Sequence, residues 1–472
     1  MPVGHLVPEI VLVAGAVTTL LAVLAVPRRL QWIGAPLALA TLATSAWFAV
    51  DLASDAAQQI TFFGTWAIDG ATTWARGVVL LATAVVVVMS PEWFARDPRH
   101  GEYYPLLVLS ALGATLVAGA ADTMQLVIGV LLSSVTGYTL AGYHRRSALS
   151  VEAAMKYFLV GALANTLLTL GVVLLFGMVG STLYEATAAG LAGRATDPIA
   201  AVAAAAAVGV GLAFKLGAVP AHAWLPDIAQ GAPAPSAALL TVVPKVGGLV
   251  ALARFVQLLP VEQVGWRPWA ALVAAATMTL GNLAALWQDD LRRLLGWSSV
   301  SQSGYAIMAV VALGRSDLAV PALLYFLLAY VLANLAAFAV VTELRGRTAL
   351  DAYAGLARRR PLLAAVLVVS FLSLVGIPPL AGFAGKLALF GAVIEGGYAW
   401  LAGVAVANTV VSLFYYLRVL GPLYFEVRRE PVPVLGRWAG TAAGVTAVAV
   451  VAVGVVAEPA FDALSDVLLL PH

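Results

Sequence analysis

The chain has 472 residues, of which 62% are hydrophobic and 11% charged, with 26 Lys+Arg against 24 Asp+Glu and a formal net charge of +2. A soluble domain carries about 25% charged residues, so this composition excludes an ordinary globular protein, and the near-neutral balance with no basic patch argues against nucleic-acid binding. Cysteine is absent, which excludes disulfides, thiolate metal sites and cysteine-ligated iron–sulfur clusters.

Read from its start, the segment MPVGHLVPEI has no basic n-region and no A-x-A-like cleavage site. It reads as the lead into a retained first helix. A spanning helix needs roughly 20 apolar residues. About fourteen such runs follow, over 7–26, 30–51, 73–90, 104–121, 123–142, 153–178, 199–219, 235–259, 268–287, 298–313, 318–343, 361–378, 398–425 and 438–457. The pattern predicts an all-α polytopic membrane protein.

Arginine sets its orientation. Connections from odd to even runs hold sixteen arginines, from Arg28 and Arg29 through Arg292 and Arg293 to Arg428, Arg429 and Arg437, whereas those from even to odd runs hold only Arg194, Arg267 and Arg315. The positive-inside rule then puts the first set in the cytoplasm and both termini outside. Arg254 and Arg418 lie inside the eighth and thirteenth runs, where they are expected to snorkel or to pair across helices.

Lysine follows a different rule. There are only four, Lys156, Lys215, Lys245 and Lys386, and the last three sit inside long apolar stretches. An ammonium at bilayer depth costs about 2.5 kcal/mol or more, which makes each a candidate functional group. A lysine removed from water becomes titratable near physiological pH, so these three are candidate stations on a proton path near the mid-plane.

Two of them lie at interruptions. FKLGAVPAHAWLPD breaks the seventh run beside Lys215, and VGIPPLAGFAGK breaks the twelfth beside Lys386. Proline removes an amide donor and glycine loosens a helix. Irregular backbone at membrane depth survives only where protein buries it or water meets it. Paired breaks five runs apart indicate an inverted repeat, because an odd-numbered repeat must reverse its orientation. His222, just past the first break, is a candidate relay toward one surface or a helix-terminus hydrogen-bond partner.

Other charges are accessory. Glu152 and Lys156 are spaced i,i+4, which predicts an ion pair at a cytoplasmic helix start. Asp122 and Glu152 flank the fifth and sixth runs, Asp227 follows the break, and Glu343 closes the eleventh. No acid lies at mid-run, so the three buried lysines have no visible acidic partner.

The stretch FKLGAVPAHAWLPDIAQGAPAPSAALLTVVPKV closely resembles the central signature of the antiporter-like membrane subunits of respiratory complex I. Its Gln230–Pro233 tetrad looks most like the subunit N branch. GEYYPLLVLSALG, LAGYHRRSALSVEAAMKYFLVGA, DDLRRLLGWSSVSQSGY and GIPPLAGFAGKLALF carry the resemblance over about residues 100 to 425. It implies fourteen helices, with helices 4–8 and 9–13 as inverted repeats and helices 7 and 12 broken. The implied divisions are 1–100, 101–260, 261–425 and 426–472. It also implies that Lys215, Lys245 and Lys386 line a hydrated axis carrying protons when quinone reduction elsewhere in the complex drives it.

The resemblance further implies K-like and M-like membrane neighbours in a bacterial inner membrane, no quinone bound on this chain and no cofactor. One position departs. Where the family carries a helix-five glutamate, alignment through LAGY puts Leu131, which removes the usual acidic partner of the helix-seven lysine and makes the first half the weaker one. Three readings stand on the sequence: a proton-translocating subunit of an NADH–quinone oxidoreductase, a subunit of a multi-subunit cation/proton antiporter, or a structural subunit that does not conduct.

Overall fold

The computed structural model describes residues 3–55, 58–193, 197–426 and 434–470. Arg194, Arg428 and Arg429, which entered the orientation argument, lie outside the described residues. Sixteen principal helices follow in order: α1 (Val7–Ala25), α2 (Gly34–Asp55), α3 (Gly70–Met89), α4 (Tyr103–Ala118), α5 (Thr123–Ala141), α6 (Ala148–Val179), α7 (Pro198–Leu216), α8 (Trp224–Gly231), α9 (Ala234–Val256), α10 (Trp266–Leu286), α11 (Leu291–Ala312), α12 (Ala319–Glu343), α13 (Pro361–Val375), α14 (Ala381–Glu395), α15 (Ala399–Phe425) and α16 (Trp438–Val455). A helix coincides with every one of the apolar runs. Among the described residues, eleven helices are long and apolar enough to cross a membrane, and α4 and α13 are shorter apolar helices.

Local signals set the ends. Asp69 caps α3 by accepting from the Thr72 amide at 2.7 Å, Asp122 caps α5 through Gln125, and Asp290 caps α11 through Arg293. Such a side chain satisfies one of the amides that the first turn leaves unpaired. The Asp290 cap explains why α11 begins at Leu291 rather than at 298: its first turn carries Arg292 and Arg293, which an apolar window rejects. A small antiparallel hairpin, β1 (Gln59–Thr61) with β2 (Trp66–Ile68), fills the connection before α3. The apolar pattern assigns no strand there.

Both breaks form where the prolines and glycines place them. α7 stops at Gly217 with φ 63°, and the chain resumes as α8 only at Trp224; α13 stops at Gly376 with φ 97° and resumes as α14 at Ala381. The Val219–Pro220 and Pro378–Pro379 bonds inside the breaks are cis. Trp224 secures the first break by donating from Nε1 to the Phe214 carbonyl at 3.0 Å.

Packing follows one scheme twice. α4 lies against α5 and α9, and α10 lies against α11 and α15; α6 lies against α7 and α8, and α12 against α13 and α14. α9 and α12 are enclosed on all sides, with 94% of their apolar windows buried. Lys245 therefore sits on a helix at the centre of the protein.

Two buried ion pairs pin the outer helices to this centre. Arg76 of α3 meets Glu9 of α1 through two bonds of 2.7 and 2.8 Å, the planar two-pronged geometry that arginine favours. Arg254, at the end of α9, meets Asp69 at 2.7 Å with neither side chain exposed. Arg254 also donates to the Leu470 carbonyl and to Thr72, while the Leu470 amide donates to Asp69 at 2.8 Å. The segment after α16 is thereby fastened to the start of α3. Arg418 pairs with exposed Asp289. Of the two arginines expected to snorkel or to pair, Arg254 makes a buried pair, while Arg418 reaches out to an exposed acid in the connection between α10 and α11.

Candidate functional site

The three lysines of the apolar runs are each 2% exposed. They differ in what surrounds the amine. Lys386, one turn into α14, donates from Nζ to the carbonyls of Leu374 and Val375, both at 2.9 Å, and its Nζ lies 4.2 Å from the Tyr305 ring centroid. Those carbonyls close α13 and have no partner within their own helix. The cation thus faces the partially negative end of the broken helix. An aromatic face beside the same amine adds a further attraction.

Gly376 makes this approach possible twice over. Its φ of 97° lies in the left-handed region, and a Cβ there would stand 3.1 Å from Lys386 Cδ. Left-handed backbone costs roughly 1–2 kcal/mol for a residue with a side chain. Gly376→Ala is expected to lose about that much stability and to shift the Lys386 side chain, read as a lowered melting midpoint of the purified complex together with reduced proton translocation.

Lys245, in the middle of α9, donates to the Ser299 carbonyl and to Ser303 Oγ at 2.6 Å, with the Tyr330 ring centroid 5.5 Å away. Lys215, the penultimate residue of α7, has no hydrogen-bond partner among the described residues, and its Nζ lies 5.8 Å from the Phe214 ring centroid. Gly248 of α9 admits it: a Cβ there would meet Leu216 Cδ2 at 3.0 Å and Lys215 Cβ at 3.3 Å.

Uncharged polar side chains surround the lysines, and half of those named below come from α11. Ser303 Oγ donates to the Leu216 carbonyl at 2.6 Å; Ser299 Oγ meets Tyr330 Oη at 2.6 Å; Tyr330 Oη donates to the Thr241 carbonyl at 2.8 Å. Asn334 Nδ2 reaches Thr241 Oγ1 at 2.8 Å, and Gln302 Nε2 reaches the Leu374 carbonyl at 3.0 Å. Ser298 Oγ lies 2.5 Å from Tyr416 Oη. The lysine pattern alone does not reveal these groups. Their signal is the density of polar residues in SSVSQS (298–303) within one spanning run.

The remaining candidates stand apart from this line. His222 is half-buried between α7 and α8, with its ring 5.8 Å from that of Trp297 and Nδ1 without a partner among the described residues. Lys156 is 47% exposed and bonds Glu152 at 2.7 Å and Asp227 at 3.2 Å; Asp227 also holds Arg293 at 2.5 Å. That network ties α6, α8 and α11 together at a surface. Asp122 serves as the cap of α5. Leu131 is 43% exposed, on an outward stripe of α5 with Met124, Ile128 and Val135. α5 packs on α4 and α6, so the structure does not bring Leu131 to Lys215. No group of three His, Asp or Glu among the described residues is placed to hold a metal ion.

Comparison with known proteins places this arrangement. Residues 120–412 match the family model described as NADH:quinone oxidoreductase/Mrp antiporter, TM. Over 458 residues the chain is 45% identical to NADH-quinone oxidoreductase subunit N 1 of Streptomyces griseus, covering 95% of each. The chain belongs to the subunit N family of antiporter-like membrane subunits. A chain of respiratory complex I from Thermus thermophilus superimposes on it with TM-score 0.82 at 30% identity, covering 97% of this chain and 99% of that one. A chain of the Mrp complex from Dietzia shares the fold, with TM-score 0.85 at 23% identity, covering 99% of this chain and 98% of the other. The subunit N family accounts for the multi-pass helical architecture.

Proposed function

We propose that the chain moves protons across the membrane through Lys215, Lys245 and Lys386 when NADH–quinone oxidoreductase reduces quinone. The observation that carries this reading is that the three lysines of the apolar runs are buried without an acidic partner among the described residues. Arg76 and Arg254 are matched by Glu9 and Asp69, whereas the buried Arg267 and Arg292 donate to backbone carbonyls near helix ends. Among the described residues Lys386 and Lys245 meet carbonyls, a hydroxyl and aromatic faces, and Lys215 lies against the Phe214 ring. An amine that meets neutral acceptors is suited to exist with and without its proton, a choice open to lysine and closed to arginine.

In this reading the chain crosses the membrane fourteen times with both termini outside, and α4–α9 and α10–α15 are two copies of opposite orientation. The repeated packing scheme supports the duplication. The loop arginines among the described residues support the orientation. K-like and M-like subunits flank the chain within complex I, and quinone binds on another subunit. The 45% identity to a subunit N favours this over a cation/proton antiporter subunit. The second reading, in which the chain fills its place in the complex without conducting, rests on the resemblance at Leu131 and draws no support from its outward position.

Proton uptake by inverted membrane vesicles during NADH oxidation separates these two readings. With assembly of the complex verified, Lys245→Met is expected to reduce uptake at least tenfold relative to electron flow, the effect of raising one barrier by about 1.4 kcal/mol or more. Unchanged uptake contradicts conduction and leaves the structural role.

A further inference from the structure

Helix α11 places two adjacent side chains on the ends of both broken helices. Ser303 Oγ donates to the carbonyl of Leu216, the last residue of α7, at 2.6 Å. Gln302 Nε2 donates to the carbonyl of Leu374, next to the last residue of α13, at 3.0 Å. Each of these links also touches a lysine. Lys245 Nζ donates to Ser303 Oγ at 2.6 Å, and Lys386 Nζ donates to the same Leu374 carbonyl at 2.9 Å. A second acceptor, the Ser299 carbonyl, lies 3.2 Å from Ser303 Oγ and also receives Lys245.

A serine hydroxyl has one hydrogen to donate, and it rotates to suit its partners. While Lys245 is an ammonium it has three donors and no acceptor. Ser303 must then accept from it and turn its own hydrogen to a carbonyl, with Leu216 the nearer. Once Lys245 has passed its proton on, Nζ carries a lone pair that competes for that hydrogen. The Leu216 carbonyl then loses a donor, and Leu216 follows Lys215 directly in the chain. The charge on Lys245 is thus read out at the end of the helix that carries the next lysine. Burial makes the readout strong, because Ser303 is 2% and Gln302 3% exposed and a hydrogen bond counts for more in a low-dielectric interior.

We infer that Ser303 is the positioning residue that couples Lys245 to the Lys215 break, and that Gln302 ties the same helix to the Lys386 break. The inference rests on the proposed proton path. It assigns to two uncharged residues the task of making one lysine's state felt at the other two, while the protons themselves reside on the amines.

The test uses the assembled complex in inverted vesicles, with proton uptake measured against NADH oxidation. Ser303→Ala is expected to slow proton delivery roughly tenfold, the scale of one lost hydrogen bond to a charged group, and Ser303→Thr, which keeps the hydroxyl, is expected to restore most of it. Gln302→Met, of similar volume without the amide, is expected to lower uptake without altering assembly. If Ser303→Ala assembles poorly, Ser303→Cys, close in size and a weak donor, is measured in its place. Normal uptake in the Ser303 variant, or equal impairment in the alanine and threonine variants, overturns the coupling role. Lys245→Met in the same assay separates the two claims: if it too is normal, the proton path itself fails, and if only Ser303 is dispensable, the path stands without this coupling.

Discussion

Arg254→Ala is expected to destabilise the subunit by about 3–5 kcal/mol, the cost of removing one member of a buried ion pair. Asp69 would keep its bonds from the Thr72 and Leu470 amides but lose its counter-charge in a site where neither side chain is exposed. The Leu470 carbonyl would lose the donor that holds the C-terminal segment to α9. A whole subunit is only about 5–15 kcal/mol stable in typical cases, so a loss of this size is expected to appear as little assembled complex on native gels and a lowered melting midpoint. The double variant Arg254→Met with Asp69→Leu removes both charges and is expected to recover most of the loss. If Arg254→Ala behaves like wild type, the pair does not secure the seam between α3, α9 and the C-terminal segment.

The second large effect separates the two breaks. Lys386→Met is expected to depress redox-driven proton uptake more severely than Lys215→Met, with the two differing by roughly a factor of ten. Lys386 is held by two carbonyls at the end of α13 and by the Tyr305 ring, so its proton has a defined donor geometry. Lys215 has no hydrogen-bond partner among the described residues, and Leu131, where the resemblance implies an acid, faces outward. Equal effects, or a larger loss at Lys215, contradict the unequal halves. Both variants leave the Arg254–Asp69 and Arg76–Glu9 pairs intact, so assembly is expected to persist.

Much of the lysine axis was legible because a charge inside an apolar run is expensive and therefore conspicuous. The breaks were legible from Pro220, Pro378 and Pro379 with their glycines, since such a cluster disfavours continuing a helix. The acids that balance the arginines were not. Glu9 and Asp69 stand at helix starts, where caps and surface charges also occur, and their partners Arg76 and Arg254 lie 67 and 185 residues away in sequence. Only the packing of α1 on its neighbours and of α9 on α3 brings them together. Ser303 and Gln302 were fainter for the opposite reason: an uncharged polar residue costs little in a helix, so only the density of such residues over 298–303 marks them.

Leu131 shows the limit of reading by alignment. Matching LAGY located the position, and the exposed stripe of Met124, Ile128, Leu131 and Val135 follows the helical period that an outward face requires. Neither clue indicates which helix the side chain meets. That depended on α6 lying beside α7 while α5 packs on α4 and α6.

The most direct test of the account is the ratio of protons taken up to NADH oxidised in inverted vesicles from a Lys386→Met strain, with assembly of the complex confirmed. A ratio well below wild type in an intact, electron-transferring complex is the predicted result and makes this chain a conducting subunit despite Leu131. A ratio equal to wild type contradicts it and leaves the chain a scaffold whose buried lysines carry no protons.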